Sequence, residues 1–164
     1  MTQPYEEIVE GEMLKRAAPG ARHEEIGRRL HQRMALAIAN LTSTRLLHER
    51  SVVEVTTGTL LRPDLALVTT ATGKLWLAAE IVSAQDHRID TVIKKRVYEE
   101  TNLPRLWMID PRYDNVEVYH GSTYGLMLKT ILAGRETLTE KLLPGFEISI
   151  AELFREETAT NGEG

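Results

Sequence analysis

The sequence predicts an α/β fold in the order helix, three strands, helix, strand, with a β-hairpin extension toward the C-terminal end. Three observations carry this. Ile26, Leu30, Met34, Ile38 and Leu41 recur at spacings of three and four, the period of an amphipathic helix. Three β-rich stretches then follow, separated by Gly58 and Gly73. Finally, Leu106-Trp107-Met108-Ile109 is a short, continuous apolar run ended by Asp110-Pro111, as suits a strand covered on both faces.

The elements follow in order. Ile8, Val9, Met13 and Leu14 flank Glu10-Gly11, so residues 5–17 form two short strands about a turn. Pro19-Gly20 breaks the chain before the first helix, predicted over 21–41. The stretches 46–55, 60–69 and 75–82 read as a meander. Asp86 is placed to cap a second helix running to about Thr101, with Ile89, Val92, Ile93 and Val97 as its buried stripe. Leu103-Pro104 stops it. Residues 116–119 and 124–132 pair as a hairpin around His120-Gly121, and Pro144-Gly145 leads into a last short helix over 150–155.

At 164 residues the chain suits one domain, expected over 1–157, followed by a frayed acidic tail over 158–164. Hydrophobic residues make up 42% and charged residues 27%, a balance that folds rather than stays disordered. There is no cysteine, so disulfides, thiolate zinc sites and cysteine nucleophiles are excluded, and a metal would sit on oxygen or imidazole. No apolar run is long enough to span a bilayer and the first residues lack signal-peptide features; a cytoplasmic location and no membrane partner are expected. GxGxxG, GxxxxGK[ST] and GxSxG are all missing, and His23-Glu24-Glu25-Ile26-Gly27 fails as a zinc-protease motif because its fifth residue is Gly.

The net charge of −4 is unevenly placed: five Glu against Arg155 lie beyond residue 146, whereas eight Lys or Arg against three Glu lie between Lys15 and Arg50. That basic stretch faces either solvent or phosphates, with Arg28 and Arg29 as the candidate phosphate contacts.

Asp64 and Glu80 are the candidate chemistry. A hairpin turning about residue 72 beside Gly73 makes them cross-strand partners, and two opposed carboxylates among apolar residues repel unless a proton or a divalent cation lies between them. Mg²⁺ or Mn²⁺ is the hard cation expected there. Alternatively the hairpin closes elsewhere, or Arg62 or Arg88 pairs with each acid. Asp90, Lys94 and Tyr98 share a helix face, from which Lys94 either aims its ammonium at the strand ends or forms a surface pair with Asp90. His23 faces inward, as a helix-capping or buried imidazole or as a support for the acids, and Ser83 is either a turn residue or a further support.

The succession Arg62-Pro63-Asp64, Glu80-Ile81-Val82-Ser83, Asp90-x-x-x-Lys94-x-x-x-Tyr98 and Leu103-Pro104-Arg105-Leu106-Trp107-Met108-Ile109-Asp110-Pro111 resembles the Uma-two family of restriction endonucleases, within the PD-(D/E)xK nuclease superfamily. The resemblance spans nearly the whole chain. It implies a restriction-endonuclease-like αβββαβ core with a mixed central sheet, and a Mg²⁺-dependent endonuclease cutting phosphodiester bonds, with DNA as partner; whether the chain acts alone or as a homodimer stays open. Asp64 and Glu80 take the places of the two acids and hold the metal with the Ile81 carbonyl. The superfamily lysine normally lies two residues after the second acid, where this chain has Val82; Lys94 is the matching substitute from the helix. A binding or assembly module that keeps the fold without catalysis is the rival reading.

Overall fold

The computed structural model describes residues 2–156. Its centre is a six-stranded sheet in the order β10-β9-β8-β7-β6-β3, formed by Gly125–Ala133, Asn115–Ser122, Arg105–Asp110, Leu75–Ile81, Leu65–Thr69 and Thr44–Leu46. β7 and β8 run parallel and the other neighbours antiparallel, so the sheet is mixed as expected.

Helix α1 (Ala21–Ile38) covers one face. Its stripe of Ile26, Leu30 and Met34 packs with Leu65, Leu67, Leu77, Ala79, Ile81, Trp107 and Ile109 in one core. On the other face lies a π-helical turn, Ile89–Lys94, that runs directly into α2 (Lys95–Glu100). Val97 and Tyr98 meet Ala78, Leu106, Met108 and Tyr119 in a second core. Strand alternation explains the division: from Leu77 onward odd positions of β7 face α1 and even positions face α2, and the bulge before Leu77 inverts this for Leu75 and Trp76. The strands β7 and β8 are buried on both sides because a helix covers each face.

The structure departs from the sequence expectation in six places. The first predicted meander strand is two strands: β3 joins the central sheet, while β4 (Val53–Thr56) pairs with β5 (Thr59–Leu61). Those two extend the N-terminal hairpin of β1 (Tyr5–Val9) and β2 (Glu12–Arg16) into a second sheet, β2-β1-β5-β4. The tight turn Thr57-Gly58, with Gly58 at φ +84°, makes this local pairing easy to close. Asp86 caps no helix, because its carboxylate is taken by Arg16. The buried side of the second helical segment is Asp90, Lys94, Val97 and Tyr98, whereas Val92 is exposed and Ile89 and Ile93 are half-buried. The β9–β10 turn lies at Ser122–Gly125 rather than at His120-Gly121, since Gly125 supplies the positive φ. A further hairpin, β11 (Thr137–Glu140) and β12 (Leu143–Ser149), packs Leu138, Phe146 and Ile148 into the α1 core, with Phe146 stacked on Trp107 at 5.3 Å. The last helix, α3, is the single turn Ile150–Leu153, capped by Ser149. The expected acidic tail over 158–164 lies outside the described residues. Among the described residues no helix is long and apolar enough to cross a membrane.

Candidate active site

The β6–β7 hairpin has the register read from the sequence. Leu65 faces Ala79, Ala66 faces Ala78 and Leu67 faces Leu77, so Asp64 and Glu80 stand next in line at the open end. A bulge after Leu67 and a positive φ at Gly73 complete the turn. Asp64 is 3% and Glu80 1% exposed. Neither Arg62 nor Arg88 pairs with them, and each acid has its own partners.

Asp64 is held from three sides. Its Oδ2 accepts the Ile81 amide at 2.8 Å, and its Oδ1 meets His23 Nε2 at 2.9 Å and Arg50 Nη1 at 3.3 Å. The Asp64 carbonyl accepts from His31 Nε2 at 2.7 Å, so the first helix fixes both ends of this residue. Burial pushes the Asp64 carboxyl up, but the charge and hydrogen bond of His23, with Lys94 and the Ile81 amide, hold it below its ordinary value. Burial likewise lowers the His23 imidazole, and Asp64 more than reverses that.

Glu80 is in a different state. Its Oε1 accepts from Lys94 Nζ at 2.7 Å and its Oε2 from the Tyr98 hydroxyl at 2.5 Å. Burial is the largest influence on it; Lys94 opposes, while the charges of Asp64, Glu7 and Asp90 add, and the carboxyl is pushed up to about 8. Burial and the charges of Asp64, Glu7 and Asp90 thus disfavour the ionised form of Glu80, and the donors Lys94 and Tyr98 favour it.

Lys94 is wholly buried and forms no surface pair with Asp90. Its ammonium lies 2.7 Å from both Glu80 and Glu7. Burial acts to strip its proton, but Glu7 and Glu80 outweigh that and hold it well above the ordinary lysine value. Val82, where the superfamily places its lysine, is a buried apolar residue of the second core.

The sequence reading missed Glu7 and Arg16. Glu7 is 1% exposed and ties Lys94 to the Arg62 amide at 2.7 Å and to Arg16 at 2.5 Å. Arg16 continues to Asp90 at 2.8 Å and Asp86 at 2.9 Å. The one signal was strand period: Glu7 shares a face of β1 with Tyr5 and Val9. Ser83 lies outside this set. Its amide donates to Asp90 and its hydroxyl accepts from the Gln85 and Asp86 amides, the role of a turn residue.

The expected phosphate contact at Arg29 is corrected. Arg29 is 7% exposed, and its guanidinium donates to the Glu152, Leu153 and Arg155 carbonyls and pairs with Glu25. It ties α1 to the chain after α3. Arg29→Met is accordingly expected to cost about 2 kcal/mol in urea unfolding, as for hydrogen bonds from a charged donor, and to leave nucleic-acid affinity unchanged. Arg28 is exposed and pairs with Glu25 one turn back.

The donor set fits a hard divalent cation in kind: two buried carboxylates and no sulfur. Glu24 joins the site only through Arg50: its Oε1 is buried without a hydrogen bond, 2.9 Å from the guanidinium that also contacts Asp64. Among the described residues no three His, Asp or Glu side chains gather at one point, so water would complete the coordination, as Mg²⁺ favours.

A model of the Uma2 family, described as "Putative restriction endonuclease", matches residues 2–151. Among solved structures the chain is similar to a crystal structure described as a "putative nuclease belonging to DUF820" from Anabaena variabilis ATCC 29413. The TM-score is 0.76 at 15% identity, over 92% of this chain and 90% of that chain. At that identity the likeness is one of fold. No curated protein matches the chain.

Proposed function

The chain belongs to the Uma2 family, and on that premise we propose that it is a metal-dependent nuclease that hydrolyses phosphodiester bonds in DNA. The observation that carries the proposal is the meeting of Lys94 with Glu80 at 2.7 Å. With Val82 in the core, the helix brings an ammonium to the second acid, so acid, acid and lysine stand together without the strand lysine.

In this reading Asp64 and Glu80, with the Ile81 carbonyl, hold Mg²⁺ or Mn²⁺. The bound ion supplies a polarised phosphate and a water of lowered pKa. Lys94 donates to Glu80 and is ion-paired with Glu7, and a remaining N–H would serve the attacking water or the charge that develops on the phosphorane. His23 and Arg50 keep Asp64 ionised and oriented, and Tyr98 fixes the rotamer of Glu80.

The test is cleavage of single- and double-stranded DNA with Mg²⁺ or Mn²⁺, abolished by EDTA and restored by excess metal. Cleavage that survives EDTA would exclude the proposed chemistry. A second reading, a binding or assembly module that retains the fold, is favoured by one observation: Lys94 is inaccessible and paired with two acids of its own chain. Metal linkage separates the two. At 100 times its Kd, Mg²⁺ stabilises a metal-binding native state by about 2.7 kcal/mol, and a scaffold without the site shows no shift in Tm.

A further inference from the structure

Of the eight basic residues between Lys15 and Arg50, six are matched with acids of this chain. Arg16 takes Glu7, Asp86 and Asp90; Arg22 takes Asp114; Arg28 and Arg29 take Glu25; Arg33 takes Glu152; Arg50 takes Glu24, Glu49 and Asp64. The basic stretch is therefore mostly internal wiring. Lys15 and Arg45 remain, exposed and without an ion pair among the described residues.

Their surroundings differ. Arg45 stands on the edge strand β3. Lys15 lies on β2 and lines a cleft of about 420 Å³ with Pro4, Tyr5, Glu6, Arg16 and Arg62. Arg62 is the second cation there without a carboxylate partner: Nε donates to the Glu6 carbonyl at 3.2 Å and Nη1 to the Arg50 carbonyl at 3.1 Å, which orients the guanidinium without neutralising it. Glu6 is the cleft's one acid. It stands opposite Lys15 across the β1–β2 pair, yet no ion pair forms between them.

The cleft adjoins the acids. Arg62 is separated from Asp64 by the buried Pro63 alone. Tyr5, in the cleft wall, has Arg16 and Arg50 over its ring at 5.6 and 5.9 Å. After burial, the charges of Asp64 and Lys94 are what its hydroxyl feels most.

The geometry points to a phosphate-binding subsite in this cleft, where Lys15 and Arg62 hold a backbone phosphate flanking the one that is cut. The inference rests on the nuclease reading for what the strand is doing there, but its cations and cleft stand without it. A fixed guanidinium and a flexible ammonium with no internal acid suit a phosphodiester oxygen, which positions the strand without reading its bases. Tyr5 offers the adjoining sugar or base an apolar wall.

The experiment compares Lys15→Glu with Arg45→Glu, two reversals of equal charge, in the full chain with EDTA present so that nothing is cut. The probe is a fluorescent oligonucleotide, single- and double-stranded, titrated from 0.05 to 0.2 M salt. The subsite requires Lys15→Glu to weaken binding at least about tenfold and to lower the salt slope by about 0.7 on single strands or 0.9 on duplex, the value of one phosphate contact. Arg45→Glu changes binding less than about threefold. Arg62→Lys keeps the charge but loses the fork, and is expected to weaken binding by a smaller factor with the fold intact. Equal losses for Lys15→Glu and Arg45→Glu, or no binding by the unaltered chain, would overturn the subsite. The Mg²⁺ cleavage assay is scored separately: binding that depends on Lys15 without cleavage keeps the subsite and removes the nuclease reading, whereas cleavage indifferent to Lys15→Glu does the reverse.

Discussion

Glu80→Gln and Asp64→Asn are both expected to abolish metal-dependent cleavage, and to move metal-free stability in opposite directions. Each removes a charged oxygen from the proposed cation site. Without metal, however, the two carboxylates stand in unlike surroundings. Glu80 is pushed up to about 8, first by burial. A group raised in the folded state contributes stability that is present below its ordinary value, 4.5, and is lost as pH rises through about 8. The slope approaches one proton, about 1.4 kcal/mol per pH unit. Glu80→Gln removes that dependence, so the variant gains on the unaltered protein as pH climbs from 5 to 8. Asp64 is held below its ordinary value by His23, and contributes stability above about 3.8 that is lost as pH falls. Asp64→Asn gives this up and leaves His23 and Arg50 beside an amide. Urea unfolding in EDTA at pH 5, 7 and 8 reads both signs. Loss of stability by Glu80→Gln at pH 8 would show that Glu80 is an ionised structural partner rather than a carboxyl disfavoured by its burial. Because the cation binds the deprotonated form, Mg²⁺ affinity is expected to rise up to about pH 8.

The sequence made the central hairpin legible because its register is a local matter: Gly73 places the turn, and two-residue alternation carries Asp64 and Glu80 to facing positions. The α1 stripe and the two-sided burial of β8 were readable for the same reason, since period and run length are properties of one segment. The second sheet was not. Its link is the pairing of Ile8 with Leu60, more than fifty residues apart, and no local pattern specifies it. The helical segment after β7 failed for a different reason. Apolar periodicity selected Ile89, Val92 and Ile93 as its inner stripe, yet the chain buries Asp90 and Lys94, because Arg16, Glu7 and Glu80 supply opposite charges to them. Those partners come from β1, β2 and β7, so the burial is settled by the tertiary fold. The basic stretch misled in the same way: counted along the chain Arg16 and Arg29 are surface charge, and in the fold they are internal ties.

Lys94→Met is expected to lower the single-turnover cleavage rate by roughly 10²–10³, the loss for one electrostatic contact made in the transition state, with Mg²⁺ affinity near normal. A second consequence follows from burial. Had Lys94 been an exposed partner of Asp90, its removal would cost only a few tenths of a kcal/mol. It is instead wholly buried between Glu7 and Glu80, and removing one member of a buried ionic set costs about 3–5 kcal/mol because the carboxylates left behind lack their cation. Protonation of those carboxylates recovers part of the loss, so the variant is expected to be nearer the unaltered protein at pH 5 than at pH 8. Kinetic and structural damage are then separated by Lys94→Met/Glu80→Gln, which removes the cation together with one of its acids: stability returns in part and cleavage does not. Lys95 is the internal control. It is the next residue, half-buried, with its ammonium 4.6 Å over the Tyr119 ring, and Lys95→Met forfeits a cation–π contact of about 0.5–1 kcal/mol without touching either acid. Single-turnover rates at saturating Mg²⁺ and at a temperature where both variants are folded decide the assignment. Equal rates for Lys94→Met and Lys95→Met would leave Lys94 as a structural cation and the acids without a catalytic lysine, the condition under which the binding-module reading replaces the nuclease.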